Sequence, residues 1–207
     1  SRAVDALSDE AGRLILPDGS GAEQSIAYQI FTHELLATVL VLLQMNGHPV
    51  PPQLTAALHR GGRYLISLVG SDDPDPRYGD DDDSFALRLG AERKRTVRQH
   101  LGLIAMVTGD ASAARYGENT LSAAWVGTAL GRPAVLCGAG VGTGEVRSSG
   151  YAAHGGLAVL RDGNRRVTVD VGPLGYLSTA AHGHADALSV TVSDRGHELI
   201  VDPGTGS

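Results

Sequence analysis

The hydrophobic period changes once along the chain, and no other feature constrains the fold as much. Up to about residue 137 the apolar residues recur at helical spacing, as at Ile26, Ile30, Leu36, Leu40 and Leu43. Ser20-Gly-Ala-Glu23 reads as a capping box for that helix, with the Ser oxygen accepting an amide and Glu reaching back. Asn46-Gly47 supplies its stop, and Pro49 cannot continue it. Pro51-Pro52 pre-sets a second helix over Gln53–Val69, a third runs over Arg95–Val107, and Thr120–Leu130 makes a weaker fourth. Two long helices joined by a short Pro-rich turn form a helical hairpin, the unit from which α-toroids are built, although no repeat is measurable. After about residue 145 short β-prone runs take over: Gly155–Val159, Arg166–Val171, Leu188–Val192 and Glu198–Val201. Leu188, Val190 and Val192 alternate with Ser189, Thr191 and Ser193, the period of a half-buried antiparallel strand. Helices first and strands later imply two separate layers or domains instead of βαβ units. The Gly-rich stretch Gly138–Gly144 is the expected boundary.

Charge is just as localised. Seven aspartates and Arg77 fall between Ser71 and Asp83, and that window alone accounts for the net charge of -6. The rest of the chain is neutral and presents no basic run of the kind a nucleic-acid partner requires. Cys137 is the single cysteine, so no intrachain disulfide holds the fold. The longest apolar run, Leu35–Leu43, falls well short of the ~20 residues of a membrane span and reads as a core helix segment. No signal peptide is visible, and the chain begins with Ser1.

His182-Gly-His184-Ala-Asp186 places three potential metal ligands at alternate positions. Imidazole and carboxylate suit zinc, while the bland alternative is a polar turn leading into a strand. Asp202 ends an apolar strand just before Pro203-Gly204, where it could add a ligand or cap a turn. A tight hairpin through Arg195-Gly196 sets Asp202 opposite Ser189, not His184. Shared ligation therefore requires Ala185–Ala187 to leave the strand.

The string from His182 to Ser189, followed by Leu199-Ile-Val-Asp-Pro-Gly-Thr205, resembles the heparinase II/III-like polysaccharide lyases. Leu16-Pro-Asp-Gly-Ser-Gly-Ala-Glu-Gln-Ser-Ile-Ala-Tyr28 is similar to that family's D-G-S-x-x-E-Q-S-x-x-Y stretch. Gly79-Asp80-Asp-Asp-Asp83 is a weaker match to its G-D-x-D loop, and Gly172-Pro-Leu-Gly175 also fits. The resemblance implies an α+β multidomain fold. Residues 1–137 would be the C-terminal part of an (α/α) toroid. Residues 138–207 would be the N-terminal part of an antiparallel β-sandwich, incomplete here. It further implies that Tyr28 and His182 are catalytic, that Glu23 touches substrate or only caps its helix, and that His184 and Asp202 bind a structural zinc. An Asn that neutralises the substrate carboxylate is expected upstream of Ser1, and a third zinc ligand, a His, downstream of Ser207.

The activity so implied is β-elimination on a uronate-containing polysaccharide, with an acidic oligosaccharide or polysaccharide as partner and a periplasmic or secreted location. Proton abstraction beside a carboxylate needs charge stabilisation, and a tyrosine can serve as acid and, if ionised, as base. Two other readings compete. A metal-dependent hydrolase would use His182, His184 and Asp186, but the H-x-H-x-D-H pattern of metallo-β-lactamases needs His where Ala187 stands. A non-catalytic carbohydrate-binding module would retain the fold without turnover. His33, His48, His59, His100, His154 and His197 lie outside the motifs.

Overall fold

The computed structural model describes residues 2–70, 72–81, 84–91, 93–133, 137–138, 148–175, 181–183 and 186–204. Among these, six helices precede five strands: α1 (Arg2–Leu14), α2 (Ile26–Met45), α3 (Pro52–Leu68), α4 (Val97–Thr108), α5 (Ala111–Tyr116), α6 (Leu121–Ala129), β1 (Gly150–Tyr151), β2 (Leu157–Asp162), β3 (Arg165–Asp170), β4 (Val190–Asp194) and β5 (His197–Ile200). The class is α+β, as the change of period implies.

The helix boundaries follow local chemistry, with one correction. The cap of α2 is Ser25, whose hydroxyl accepts the Tyr28 amide, not Ser20. Ser20 instead donates its hydroxyl to Asp18, and Glu23 lies before the helix, so the expected capping box does not form. A complete capping box does occur at Thr96 and Gln99, where it starts α4. Asp110 and Thr120 cap α5 and α6. The run preceding Ser20 is helical too, as α1, which the apolar spacing did not reveal.

The helical core gathers on α3, which packs against α1, α2, α4 and α5. Leu36 and Leu40 of α2, Leu54, Leu58, Leu65 and Leu68 of α3, and Leu101, Leu103 and Ile104 of α4 are all fully enclosed. α2 is long and apolar enough to cross a membrane by length and composition alone. It nonetheless buries Gln29, His33 and Glu34 against its neighbours. Glu34 pairs with the buried Arg95 and accepts the amides of Ala86 and Leu87. His33 Nδ1 meets His100 Nε2 at 3.1 Å, and this pair fits only because residue 61 is glycine: a Cβ there would stand 1.9 Å from the His33 ring.

The strands form one antiparallel sheet in the order β1-β2-β3-β4-β5. Leu157 pairs with Asp170, Val159 with Thr168 and Arg161 with Arg166 across β2–β3. Val167 pairs with Val192 and Val169 with Val190 across β3–β4. Consequently one face carries Leu157, Val159, Arg161, Arg166, Thr168, Asp170 and Ser193. This face meets the helices, and Leu157 and Val159 join the helical core. Asp73 anchors the seam. Its Oδ2 takes Arg161 at 2.7 Å and lies 3.7 Å from Arg166, while Arg166 also donates to the Leu68 carbonyl that ends α3. The opposite face carries Leu160, Val167, Val169, Val190, Val192 and Ile200.

Strand alternation is present over 190–193, but burial runs opposite to the apolar pattern. Ser193 is 3% exposed, whereas Val190 is 39% exposed. Among the described residues the polar side of the sheet is the covered one. β4 also begins at Val190, two residues later than its apolar pattern suggests, because Leu188 takes a φ of 65°. β5 turns back through Arg195-Gly196, and a register shift follows between Val192 and Ser193.

Candidate functional site

β3 and β4 are neighbours in the sheet, yet residues 171–189 separate them. Within that span, His182 lies against the N-terminal turn of α2. The His182 ring stacks on Tyr28, with ring centroids 3.8 Å apart and planes inclined by 29°. Tyr28 is in the first turn of α2, placed there by the Ser25 cap and half-buried. Two carboxylates flank the imidazole. Glu23 Oε2 lies 3.5 Å from Nε2 and Asp80 Oδ2 lies 3.5 Å from Nδ1. All three side chains keep a fifth to a third of their surface exposed, so a ligand can reach them.

The backbone of residues 78–80 bolts these pieces together. The Asp80 amide donates to the His182 carbonyl at 2.8 Å, and the Gly79 amide donates to Asp186 Oδ2 at 2.8 Å. On the other side, Ser25 Oγ donates to the Asp80 carbonyl and the Ile26 amide donates to the Tyr78 carbonyl. Gly79 has a φ of 70°, and a Cβ there would stand 2.2 Å from the Gln24 carbonyl oxygen. Only glycine allows this loop so close to the start of α2.

Tyr28, His182 and Glu23 are thus brought together as one cluster. Asp80 is a site neighbour that sequence reasoning missed as an individual residue; its signal was the Gly79-Asp80 pair. Asp202 lies elsewhere, beside Ser189, which donates its hydroxyl to Oδ2 at 2.9 Å, while the Gly204 amide donates to Oδ1. This is the placement expected from the hairpin. Asp186, Ala187 and Leu188 lie outside any strand, as shared ligation would require, while Ala185 and His184 fall outside the described residues.

Asp170, Asp186 and Asp202 are buried carboxylates, and the latter two lie within electrostatic reach of Asp170. Burial raises the Asp170 pKa first; the Gly172 amide opposes that, and repulsion from Asp186 and Asp202 adds to it. Among the described residues no three His, Cys, Asp or Glu side chains converge as a metal site. Asp202 Oδ2 accepts from Ser189 and Oδ1 from the Gly204 amide, which fix the orientation of its carboxylate. A buried carboxylate in an acidic surrounding is a donor that suits zinc. The Asp186 carboxylate is engaged by the Gly79 amide.

Comparison with known proteins starts from residues 145–207, which match the family described as Heparinase II/III-like, C-terminal. That segment holds His182, His184 and Asp202. A search of curated proteins finds no match. Among solved structures, this chain is similar to a crystal structure of a mutant of heparan sulfate lyase HepC from Pedobacter heparinus. The TM-score is 0.60 and the identity 16%, over 97% of this chain and 28% of that one. The fold is therefore shared across helices and sheet alike, and the chain spans under a third of that protein's length.

Proposed function

We propose that this chain is the cleft-forming part of a polysaccharide lyase that cleaves a uronate-containing polysaccharide by β-elimination. One observation carries the reading. Tyr28 and His182, far apart in sequence and on different halves of the molecule, stack ring on ring at 3.8 Å. In the proposed step a base removes the proton at C5 of the uronate. The electron pair left behind forms the C4–C5 double bond, the C4–O bond breaks, and the leaving oxygen takes a proton. Tyr28 supplies that proton and, for one C5 stereochemistry, serves as the base as well. His182 is the partner base or the group that neutralises developing charge. Glu23 and Asp80 hold the imidazole from either side.

The finer architecture belongs to the same proposal. Residues 1–137 would be the end of an (α/α) toroid, with α2 and α3 as one of its hairpins. Residues 138–207 would open a β-sandwich. Leu160 and Ile200, both more than half exposed on the outer face of the sheet, are what a second sheet would cover. Zinc would be held by His184, Asp202 and a histidine beyond Ser207. When bound, it supplies rigidity to the His182 segment and takes no part in proton transfer. Location in the periplasm or outside the cell suits a polymeric acidic substrate.

The test uses the full-length protein and a panel of polyuronates, sulfated and unsulfated. Elimination generates an unsaturated product that absorbs in the ultraviolet, and hydrolysis does not. Tyr28→Phe is expected to lower the rate of absorbance rise on the order of 10²–10⁴-fold, the range of acid–base contributions. An undiminished rise in that variant rules Tyr28 out.

A further inference from the structure

A groove of about 350 Å³ runs along the seam between α3 and β1–β2. Its lining includes none of Tyr28, His182, Glu23 and Asp80, so it is separate from the site above. The size falls at the lower end of the ~300–1,000 Å³ typical of small-molecule sites. Buried Leu157 and Val159 line its apolar part. On the α3 wall stand Arg60 and Arg63, and on the β1 wall the Tyr151 ring, 60% exposed.

The polar groups are not equivalent. Arg60 donates through Nε and Nη2 to the carbonyls of Leu16 and Ile15, which fix its guanidinium without bringing its charge to a carboxylate. Asp18, the one acid of the lining, accepts from the Ser20 hydroxyl and amide and from the amides of His154 and Gly155. Arg63 is exposed, and among the described residues no acid pairs with it. Two guanidinium groups against one occupied carboxylate leave the groove cationic in a chain of net charge -6. A planar guanidinium matches a carboxylate or a sulfate through paired N–H donors. An exposed aromatic ring offers a flat apolar face to the C–H side of a sugar.

We propose that this groove is a second saccharide-binding site, taking an anionic sugar unit through Arg63, with Arg60 adding positive field and Tyr151 as the stacking platform. The choice of a saccharide rests on the lyase reading; the anionic character follows from the arginines alone. The ligand chemistry is an anionic oxygen on a pyranose, whether carboxylate or sulfate.

Calorimetric titration of the full-length protein tests this, in a Tyr28→Phe background so that no probe is consumed. The probes are an unsulfated oligouronate, a heparan sulfate oligosaccharide and inorganic sulfate. Arg63→Ala and Tyr151→Ala should each weaken binding of at least one oligosaccharide by about tenfold, which identifies the anion. Arg165→Ala, which removes an exposed strand arginine outside the groove, should leave affinity unchanged. Both groove side chains are exposed, and an unchanged unfolding temperature shows that the variants fold. The proposal is overturned if Arg63→Ala and Tyr151→Ala bind both oligosaccharides as the parent does. It is overturned equally if Arg165→Ala loses as much, which indicates diffuse charge attraction, or if inorganic sulfate competes at the saccharide's own concentration. Binding is read without turnover, so absence of lyase activity in the wild type would count against the lyase reading and leave this result standing.

Discussion

His182 holds a φ of 65°, a backbone state that non-glycine residues rarely occupy and that persists only where surrounding contacts enforce it. Here the enforcing contacts are the Tyr28 ring, the Glu23 and Asp80 carboxylates and the Asp80 amide. In the proposed mechanism Asp80 is therefore a positioning residue. Asp80→Ala is expected to lower kcat on the order of 10–100-fold with KM little changed, since a misplaced group costs that much. Asp80→Asn, which keeps an oxygen toward Nδ1, should recover part of the loss; steady-state kinetics on the full-length protein would show it. Tyr28 and His182 were legible because each lies in a motif with a family resemblance. Asp80 was hidden among consecutive aspartates, and only loop closure singles it out. Ser20 three residues before Glu23 makes a cap one of the two readings the sequence offers for Glu23, but Ser25 captures the helix start later.

His33 and His100 make a second residue-level prediction. Burial, reinforced by Arg60, pushes the His33 pKa down to about 3, and burial with its neighbours His33 and Arg95 pushes His100 down as well. Both rings are neutral in the folded state. Below the unfolded histidine pKa of ~6.5 the unfolded chain binds protons that the folded chain does not. Their contribution is thus complete above that pH and declines as pH falls toward about 3. Urea unfolding at stepped pH should show stability dropping by up to ~1.4 kcal/mol per pH unit for each histidine. A His33→Leu variant should show a shallower acid limb. Neither histidine was assignable from sequence, because nothing there indicates that Gly61 vacates the space for the ring.

Among elements, the seam between helices and sheet depends on Asp73. Its side chain is 7% exposed and that of Arg161 4%, so both charges are removed from water. Truncating one partner leaves an uncompensated charge, which typically costs ~3–5 kcal/mol. Asp73→Ala should lower the unfolding free energy by about that much, and hydrogen exchange should locate the loosening in β2, β3 and the end of α3. Helix boundaries were largely readable, since Pro51-Pro52, Asn46-Gly47 and Thr120 act locally. Strand starts were less so. Leu188 fits the alternating pattern, but its left-handed backbone breaks the strand there, and its amide donates to the Asp170 carbonyl.

At the scale of the whole molecule, the two sides of the sheet are inverted relative to simple expectation. Arg166, Thr168, Asp170 and Ser193 are covered, while Leu160, Val190 and Ile200 are open. Alternation in sequence shows that the two faces differ, not which of them the helices meet. An open apolar face is a liability unless more protein covers it. Ile200→Lys should therefore leave the stability of the 207-residue chain nearly unchanged. In the full-length protein it should cost roughly 2–5 kcal/mol, the loss expected for a buried aliphatic side chain. Paired thermal unfolding curves would read the difference.

The central claim is that Tyr28 and His182 act as one catalytic unit across the two halves of the fold. A double-mutant cycle on the full-length protein tests it most directly, with Tyr28→Phe, His182→Ala and the pair assayed by the ultraviolet rise of unsaturated product. Groups that act together are strongly non-additive. The account predicts that either single change removes nearly all the activity and that the double variant is no slower than the slower single one. Rate losses that multiply in the double variant would contradict it.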